Sequence, residues 1–330
     1  AKIRTSFLNK FPKFLRKRKK YLLPLMPTAA ETFDLRDFDI VISSSNSFAK
    51  GIITKPKTVH LCYCHAPTRF LWDWHYNYLR ENKIKGFKKA LIMPLLHYLR
   101  MWDKSASERV DYFIANSKNT ADKIKKFYGR ESAVVYPPAI IPRLTSPKRE
   151  GAVLPLLGEV RGDINNNYFL IISRLSPYKK IDVAIEAFNK LELPLIIIGD
   201  GQDRKRLEKI AEKNIKFLGF QPEKKLGQYY QNCYAFIFPG EDDFGITPIE
   251  AMSFGKPILA FRKGGAMETI IEGITGEFFD DPIPEILADG IRRIKNNYNN
   301  YDPEKIKLRA EKFSRKKFEE NMRNIIEKLR

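Results

Sequence analysis

The sequence is poor in cysteine and has no long apolar run. Its 330 residues include three cysteines, too few for a disulfide framework, and this usage fits a reducing compartment. No stretch of 18 or more uncharged apolar residues occurs, which predicts no membrane-spanning helix. The first residues carry charge and lack an apolar core segment, so we expect no signal peptide and a cytoplasmic protein.

Metal-binding cysteine patterns are also missing. Cys62 and Cys64 alternate along an apolar run and have no matching partners for a metal. We interpret them as small hydrophobic residues of a strand, with a zinc or redox role as the alternative.

Acidic residues are few relative to basic ones. The chain has 59 Lys and Arg against 39 Asp and Glu, a net charge of +20. Such a surface attracts an anionic partner: nucleic acid, an acidic membrane or phosphorylated substrates. The densest cluster, 10–20, interleaves basic residues with Phe11, Phe14 and Leu15 and precedes a short apolar run. We interpret it as a site for an anionic membrane surface. A nucleic-acid patch, which we do not expect, and a solvated lysine-rich face are the alternatives.

The chain contains two series of alternating strands and helices. In the first series, strands are predicted at 39–45, 58–64, 111–117 and 133–136, and helices at 85–110, interrupted at Pro94, and at 121–128. In the second, strands are predicted at 168–173, 194–198, 215–218, 234–238 and 257–261, and helices at 181–191, 204–213, 224–231 and 248–254. Such alternation predicts parallel sheets with helices on both faces.

The two series are separated by residues 137–167, which are rich in Pro, Gly and Asn and which we interpret as a linker. The predicted domains are 1–145 on the acceptor side and 146–300 on the donor side. We expect charged helices at 301–330 to pack back toward the first domain.

The segment 240–255 follows a predicted strand and opens a helix. Thr247, Pro248 and Glu250 fit the N-cap, N1 and N3 positions of a capping box, which is the purely structural interpretation. This position, at the carboxyl end of a parallel sheet, is also where ligands bind. Glu250 would then accept hydrogen bonds from ribose hydroxyls.

Backbone N–H groups at the start of this helix would hold a phosphate, since helix N-termini attract anions. The groups concerned belong to Phe244, Gly245 and Ile246, and Gly245 permits close approach. A second loop, 173–180, also leaves a strand and opens a helix at the same sheet edge. We expect its Arg174 and Lys179 to converge on a diphosphate.

These elements resemble glycosyltransferase family 4, a retaining family with the GT-B fold. The family signature Glu-x7-Glu corresponds to Asp242-x7-Glu250, and Arg174-Leu-x3-Lys179 resembles the diphosphate clamp. Other matching segments are Gly199-Asp-Gly201, Phe217-Leu-Gly219 and Gly264-Gly-Ala-Met-Glu268. In the first domain, His60-Leu-Cys-Tyr-Cys-His-Ala-Pro-Thr-Arg-Phe-Leu-Trp72, Ala49-Lys-Gly51 and Asn116-Ser117 resemble the bacterial mannosyltransferases of O-antigen and exopolysaccharide assembly.

The resemblance implies an α/β GT-B protein with two Rossmann-like, doubly wound domains facing a cleft. It implies a hexosyltransferase that moves a sugar from a nucleotide-sugar, with GDP-mannose as the first choice of donor and a UDP-sugar as the alternative. The acceptor would be lipid-linked or a polysaccharide, and the enzyme would lie peripherally on the cytoplasmic face of the plasma membrane. A binding homologue with weak turnover is a further alternative. No cofactor or metal is expected, although the acidic run 241–243 offers a competing metal interpretation.

The resemblance also assigns roles to individual residues. Arg174 and Lys179 would stabilise the leaving diphosphate, and His65 and Asp242 would complete the catalytic set. Donor-binding residues would be Phe244, Gly245, Ile246, Glu250, Gly219 and Glu268. Lys50 and Arg69 would contact acceptor or phosphate.

The sequence departs from the family in two places. Asp242 stands where the family usually has Glu, and its side chain is one methylene shorter, with Glu241 nearby but out of register. We also expect the first domain to lack the family's first strand and glycine-rich loop.

Overall fold

A computed structural model describes residues 3–17, 19–139 and 168–329. The chain divides into two compact units, Ala1–Tyr136 and Pro137–Arg330. Most of the predicted linker, 140–167, lies outside the described residues.

The first unit contains a four-stranded parallel sheet in the order β1-β2-β3-β4. Its strands are β1 Ile40–Ser45, β2 Val59–Cys64, β3 Tyr112–Ala115 and β4 Ser132–Val134, and its helices are α1 Lys13–Lys17, α2 Met26–Glu31, α3 His75–Glu81, α4 Gly86–Glu108 and α5 Lys118–Tyr128. Ser45 pairs with Cys64, and Cys64 with Ala115, so these strands end level with one another. Cys62 and Cys64 are buried in the apolar cluster of this sheet, as expected of small hydrophobic residues.

Helix α4 differs from its prediction because it is not interrupted at Pro94. A proline inside a helix removes one backbone hydrogen bond and crowds the preceding turn. The turns that follow bury Leu96, Leu99, Trp102 and Ala106. The burial of these apolar side chains offsets the local cost of the proline.

Helix α5 begins three residues earlier than predicted. Its N-cap is Ser117, whose hydroxyl accepts a hydrogen bond from the backbone N–H of Thr120 at 3.0 Å. This contact satisfies one of the N–H groups that a helix N-terminus leaves unpaired. The helix ends at Tyr128 and is followed by Gly129, whose φ of +66° is the left-handed conformation common directly after a helix.

The second unit contains a six-stranded sheet in the order β10-β9-β8-β5-β6-β7, with every pair parallel. The strands are β5 Tyr168–Ile172, β6 Leu195–Ile198, β7 Ile215–Gly219, β8 Cys233–Phe238, β9 Ile258–Phe261 and β10 Gly276–Phe279. The helices are α6 Ile181–Leu191, α7 Arg204–Ile210, α8 Glu223–Asn232, α9 Ile246–Ser253, α10 Ala266–Thr269, α11 Pro284–Asn296, α12 Pro303–Glu311 and α13 Arg315–Glu327. This is the strand order of the Rossmann fold, in which successive strands are added toward one edge of the sheet from β5 and toward the other edge from β8, so that the order reverses between these two strands.

The predicted parallel α/β architecture is confirmed in both units. The sequence reading missed β10 and α11, and it extended α7 to Lys213, whereas the helix ends at Ile210.

Helix α12, the first of the two helices in the predicted C-terminal segment 301–330, packs against α9 within the second unit. A Cβ on Gly255, just after α9, would lie 2.8 Å from the Cβ of Pro303. Arg309 donates from its Nε to the backbone oxygen of Thr269 at 2.9 Å. Packing of 301–330 toward the first domain stays a prediction.

Candidate functional site

The strand order of the second unit identifies where a ligand is expected. In open parallel sheets, ligands bind outside the carboxyl ends of the strands where the order reverses. Here the reversal lies between β5 and β8, which end at Ile172 and Phe238. The predicted diphosphate clamp, 173–180, leaves the first of these strands, and the acidic segment, 239–245, leaves the second. The fold therefore brings the two sequence motifs to one switch point.

The two loops touch each other through their backbones. A Cβ on Gly240 would lie 2.7 Å from the Cα of Lys179 and 2.8 Å from its carbonyl oxygen. Real side chains do not approach backbone so closely, so this contact requires glycine. On the other side, the N–H of Gly265 donates to the carbonyl oxygen of Asp242 at 2.9 Å. The acidic loop is thus held between the loops that follow β5 and β9.

Lys179 and Asp242 form an ion pair across this junction. The side chains are 14% and 21% exposed, respectively, so the pair is partly shielded from water. The ammonium group also lies 5.2 Å from the ring centroid of Tyr178 and 5.9 Å from that of Phe238. The residue at the family's acidic position therefore contacts the clamp lysine directly.

Arg174 is exposed, unlike Lys179. Among the residues that the structure describes, its guanidinium forms no hydrogen bond or ion pair. A guanidinium offers five N–H donors in a fork that matches phosphate oxygens. Arg174 is thus placed at the switch point with its hydrogen-bonding capacity unused by the described part of the protein.

The start of helix α9 corrects the predicted capping box. The helix begins at Ile246, and its N-cap is Gly245, with a φ of +87° and no side-chain cap. Thr247 and Pro248 are consequently its second and third residues, and Glu250 is the fifth instead of N3. The left-handed conformation available to glycine lets the helix start two residues early. Glu250 does not cap this helix, so the capping-box interpretation of its carboxylate is wrong.

Glu250 is instead paired with a tyrosine. The hydroxyl of Tyr230, in α8, donates to Glu250 Oε2 at 2.6 Å. Burial raises the pKa of Glu250, while the Tyr230 hydrogen bond acts in the opposite direction. The sequence reading missed Tyr230. The only signal for it in the sequence was its place in α8, the helix before β8, which leads into the segment 240–255.

The remaining predicted donor-side residues lie along the same edge. Phe244 buries its ring and contacts Phe313 edge-on at 5.7 Å, so any contact with a ligand is left to its backbone. Gly219 ends β7 and accepts a hydrogen bond from the N–H of Gly199 at 2.9 Å. Glu268 lies in the first turn of the short helix α10, and its carbonyl oxygen accepts a hydrogen bond from Arg309.

In the first unit, His65 directly follows β2 at the carboxyl edge of the sheet. Its Nε2 is 2.8 Å from the hydroxyl oxygen of Ser44, and its ring lies edge-on to Tyr63 at 5.2 Å. Burial lowers the pKa of His65, so its imidazole is neutral at pH 7. A neutral imidazole offers one donor and one acceptor nitrogen.

Lys50 does not fit its predicted role as an acceptor or phosphate contact. The residue is 1% exposed, and its ammonium pairs with Asp103 and donates to the carbonyl oxygen of Ser47 at 2.7 Å. The same carboxylate accepts hydrogen bonds from Thr68, Trp72 and Tyr128. Lys50 therefore belongs to a buried structural network, because a buried ammonium without a counter-charge is very costly.

Asp103, at the centre of this network, was also missed. The sequence does indicate its burial, because Asp103 follows Leu99 by four positions and precedes Ala106 by three, which places it on the buried face of α4. Arg69, the other predicted phosphate contact, lies over the ring of Trp74 with its Cζ 5.0 Å from the ring centroid.

Two features are absent from the residues that the structure describes. No group of three or more His, Cys, Asp or Glu side chains there is arranged to hold a metal ion. No helix in those residues is both long and apolar enough to cross a membrane.

Two family models and several curated proteins match this chain. The family model for glycosyl transferases group 1 matches residues 161–315, and the model for glycosyltransferase family 4 matches residues 4–142. The alpha-1,3/1,6-mannosyltransferase ALG2 of Dictyostelium discoideum is 25% identical over 310 residues, which cover 82% of this chain and 70% of that protein. The O-antigen chain mannosyltransferase C of Escherichia coli is 24% identical over 168 residues, covering 48% and 44%. Other curated relatives are matched over 39% and 41% of their own lengths.

A solved structure extends the likeness to the fold of nearly the whole chain. Anabaena Alr3699/HepE, crystallised with UDP and glucose, is 20% identical with a TM-score of 0.69, covering 96% of this chain and 84% of that one. Together with the two parallel sheets, this match shows the GT-B fold. Because the two family models together match residues 4–142 and 161–315, which is most of the chain, the chain belongs to the glycosyltransferases of family 4.

Proposed function

We propose that this glycosyltransferase transfers mannose from GDP-mannose to a lipid-linked or polysaccharide acceptor with retention of the anomeric configuration. The observation that carries the proposal is the convergence of Arg174, the Lys179–Asp242 pair and the start of α9 at the switch point of the second sheet. Two cations beside a helix N-terminus suit a diphosphate. No metal ion or other cofactor is required by the proposal.

The charges at this edge suggest a division of roles. Negative charge develops on the leaving diphosphate during transfer, and preorganised donors aimed at it lower the barrier. We assign this stabilisation to Arg174 and Lys179. Because Asp242 pairs with Lys179, a diphosphate would compete with that carboxylate for the ammonium. Glu250 would accept from the ribose hydroxyls.

The choice of mannose is supported by the two mannosyltransferases among the relatives. The second candidate is a UDP-sugar, favoured by the HepE structure with UDP and glucose. A panel of GDP-, UDP- and ADP-sugars in a thermal-shift assay separates them, since a ligand of the folded state raises its apparent stability. A larger shift with GDP-mannose than with any UDP-sugar supports the proposal, and the reverse order replaces it with the second candidate.

We further propose that the N-terminal basic cluster docks on an anionic membrane surface on the cytoplasmic side. Phe14, within the cluster 10–20, and Tyr21, directly after it, are 65% and 68% exposed and are available for insertion between headgroups. Sedimentation with vesicles containing anionic lipid tests this, with zwitterionic vesicles as the control. Tighter, salt-sensitive binding to RNA or DNA than to anionic vesicles would contradict it.

A nucleotide-sugar-binding homologue with weak turnover is a third candidate, motivated by Asp242 and its pairing with Lys179. Sugar transfer measured with any nucleotide-sugar excludes it. If the protein binds a nucleotide-sugar but neither transfers the sugar to an acceptor nor hydrolyses the donor, this candidate is favoured.

A further inference from the structure

The side chain of Tyr230, which donates a hydrogen bond to Glu250, is held in place by burial and by two aromatic neighbours. Tyr230 is fully buried. Its ring stacks on Phe254 with centroids 5.7 Å apart and planes 15° apart, and it packs on Phe236 at 5.9 Å. These contacts fix the hydroxyl that donates to Glu250 Oε2 at 2.6 Å. One carboxylate oxygen of Glu250 is therefore held by the protein.

The second oxygen, Oε1, accepts no hydrogen bond from any residue in the described ranges. A carboxylate can accept several hydrogen bonds, so Glu250 retains acceptor capacity. Once Oε2 is anchored, the carboxylate loses most of its rotational freedom. A ligand that binds Oε1 then pays less conformational entropy, which is the advantage of a preorganised site.

We propose that Tyr230 is a positioning residue that orients the Glu250 carboxylate toward the ribose hydroxyls of a nucleoside diphosphate. Tyr230 does not touch the ligand and acts only through Glu250. The proposal rests on the proposed function, because it needs Glu250 at the ribose.

The charges around Glu250 give the proposal a pH signature. Burial raises the pKa of Glu250, the Tyr230 hydrogen bond lowers it, and the negative charge of Glu223, in α8, raises it. Without the hydroxyl, the two raising influences remain. Glu250 then becomes protonated at a higher pH as the solution is acidified, and a protonated carboxyl is a poorer acceptor. Loss of nucleotide binding on acidification therefore begins at a higher pH in a Tyr230→Phe protein.

The test is isothermal titration of the wild-type, Tyr230→Phe and Tyr229→Phe proteins with GDP and UDP between pH 5.5 and 8. Tyr229 is the matched control, because it is the neighbouring buried tyrosine of the same helix and its hydroxyl forms no hydrogen bond with any described residue, whereas its backbone oxygen accepts from Tyr168. Each titration is repeated with the 2′,3′-dideoxy form of the nucleotide that binds. We expect Tyr230→Phe to weaken binding of the intact nucleotide about two- to tenfold, the cost of immobilising one side chain that the protein no longer holds in place. We expect no difference from wild type with the dideoxy form.

Equal affinity of the wild-type and Tyr230→Phe proteins for the intact nucleotide at every pH would overturn the proposal. An equal loss for intact and dideoxy nucleotides would overturn it too, because the damage would then not depend on the ribose. If Tyr230→Phe does not fold, Phe254→Leu removes the stacked ring but keeps the hydroxyl. It should give a smaller loss that also needs the ribose hydroxyls, and no loss would count against the proposal. Failure of the wild type to bind either nucleotide overturns the proposed function itself.

Discussion

The carboxyl edges of the two sheets are built differently. In the second unit, the loops after β5, β8 and β9 meet through backbone at Gly240 and Gly265, and this edge consists of short loops and helix starts. In the first unit, the edge is lined by polar side chains such as Ser44 and His65, and the segments around it are fixed by a buried ion pair. Loops that meet through their backbones need glycine and other recognisable residues at fixed positions, so they can be identified as short motifs in the sequence. Segments that are held by side chains distant in the sequence have few such motifs.

The largest effect is expected at the buried ion pair of the first unit. Asp103→Asn leaves the Lys50 ammonium buried without a counter-charge. Removing one partner of such a pair costs about 3–5 kcal/mol. Urea unfolding should show this loss of stability. Nucleotide binding, measured at a temperature at which circular dichroism shows the variant to be folded, should be unchanged if the donor edge is independent of this network.

The control is the pair of Lys125 and Glu131, whose side chains are 69% and 82% exposed. Glu131→Gln should leave unfolding unchanged, because exposed pairs contribute little. If Asp103→Asn abolished nucleotide binding although the variant is folded, the donor edge would depend on the buried network of the first unit, which contradicts the prediction.

Next in size is the loss of the clamp arginine. Arg174→Ala removes an exposed side chain, so the fold should be unaffected, but the leaving diphosphate loses a charged donor. By comparison with the removal of one oxyanion-hole donor, transfer should slow by about 10²–10³-fold. Steady-state kinetics with a nucleotide-sugar measure this, and Arg292→Ala, an exposed arginine in α11, serves as the control. Wild-type turnover in both Arg174→Ala and Lys179→Ala would contradict the clamp.

A smaller effect tests whether backbone contact shapes the donor edge. Gly240→Ala places a Cβ against the backbone of Lys179, which cannot move aside as a flexible side chain can. Overpacking of this kind costs about 1–3 kcal/mol. The melting temperature should fall and nucleotide affinity should weaken with it. Gly273→Asn is the control, because Gly273 has open space around its Cβ position and a φ of +74°, which asparagine tolerates. Unchanged binding in Gly240→Ala would show that the loops do not need this contact.

The contrast between the edges also explains which features the sequence could predict. Helix α6 was predicted to the residue, since its apolar periodicity and flanking loops are local. The start of α9 was missed because Thr247 and Pro248 carry the usual sequence signals for a helix start, while the left-handed φ of Gly245 has none beyond the glycine itself. Lys50 was misassigned because its partner lies 53 positions away in the chain. Tyr230 was missed for a similar reason, since its role depends on how α8 packs on α9.

The smallest effect is expected at Asp242, where the sequence departs from the family. Asp242→Glu restores the usual residue and lengthens the side chain by one methylene, which still allows pairing with Lys179. Activity should be preserved or raised, within about tenfold of wild type, which corresponds to about 1.4 kcal/mol of transition-state stabilisation. Measuring kcat and KM separately identifies the origin of any gain. A lower KM would mean easier displacement of the carboxylate from Lys179, whereas a higher kcat would mean a contact made in the transition state. A sharp loss of activity would instead show that the loop between β8 and α9 is built around the shorter side chain.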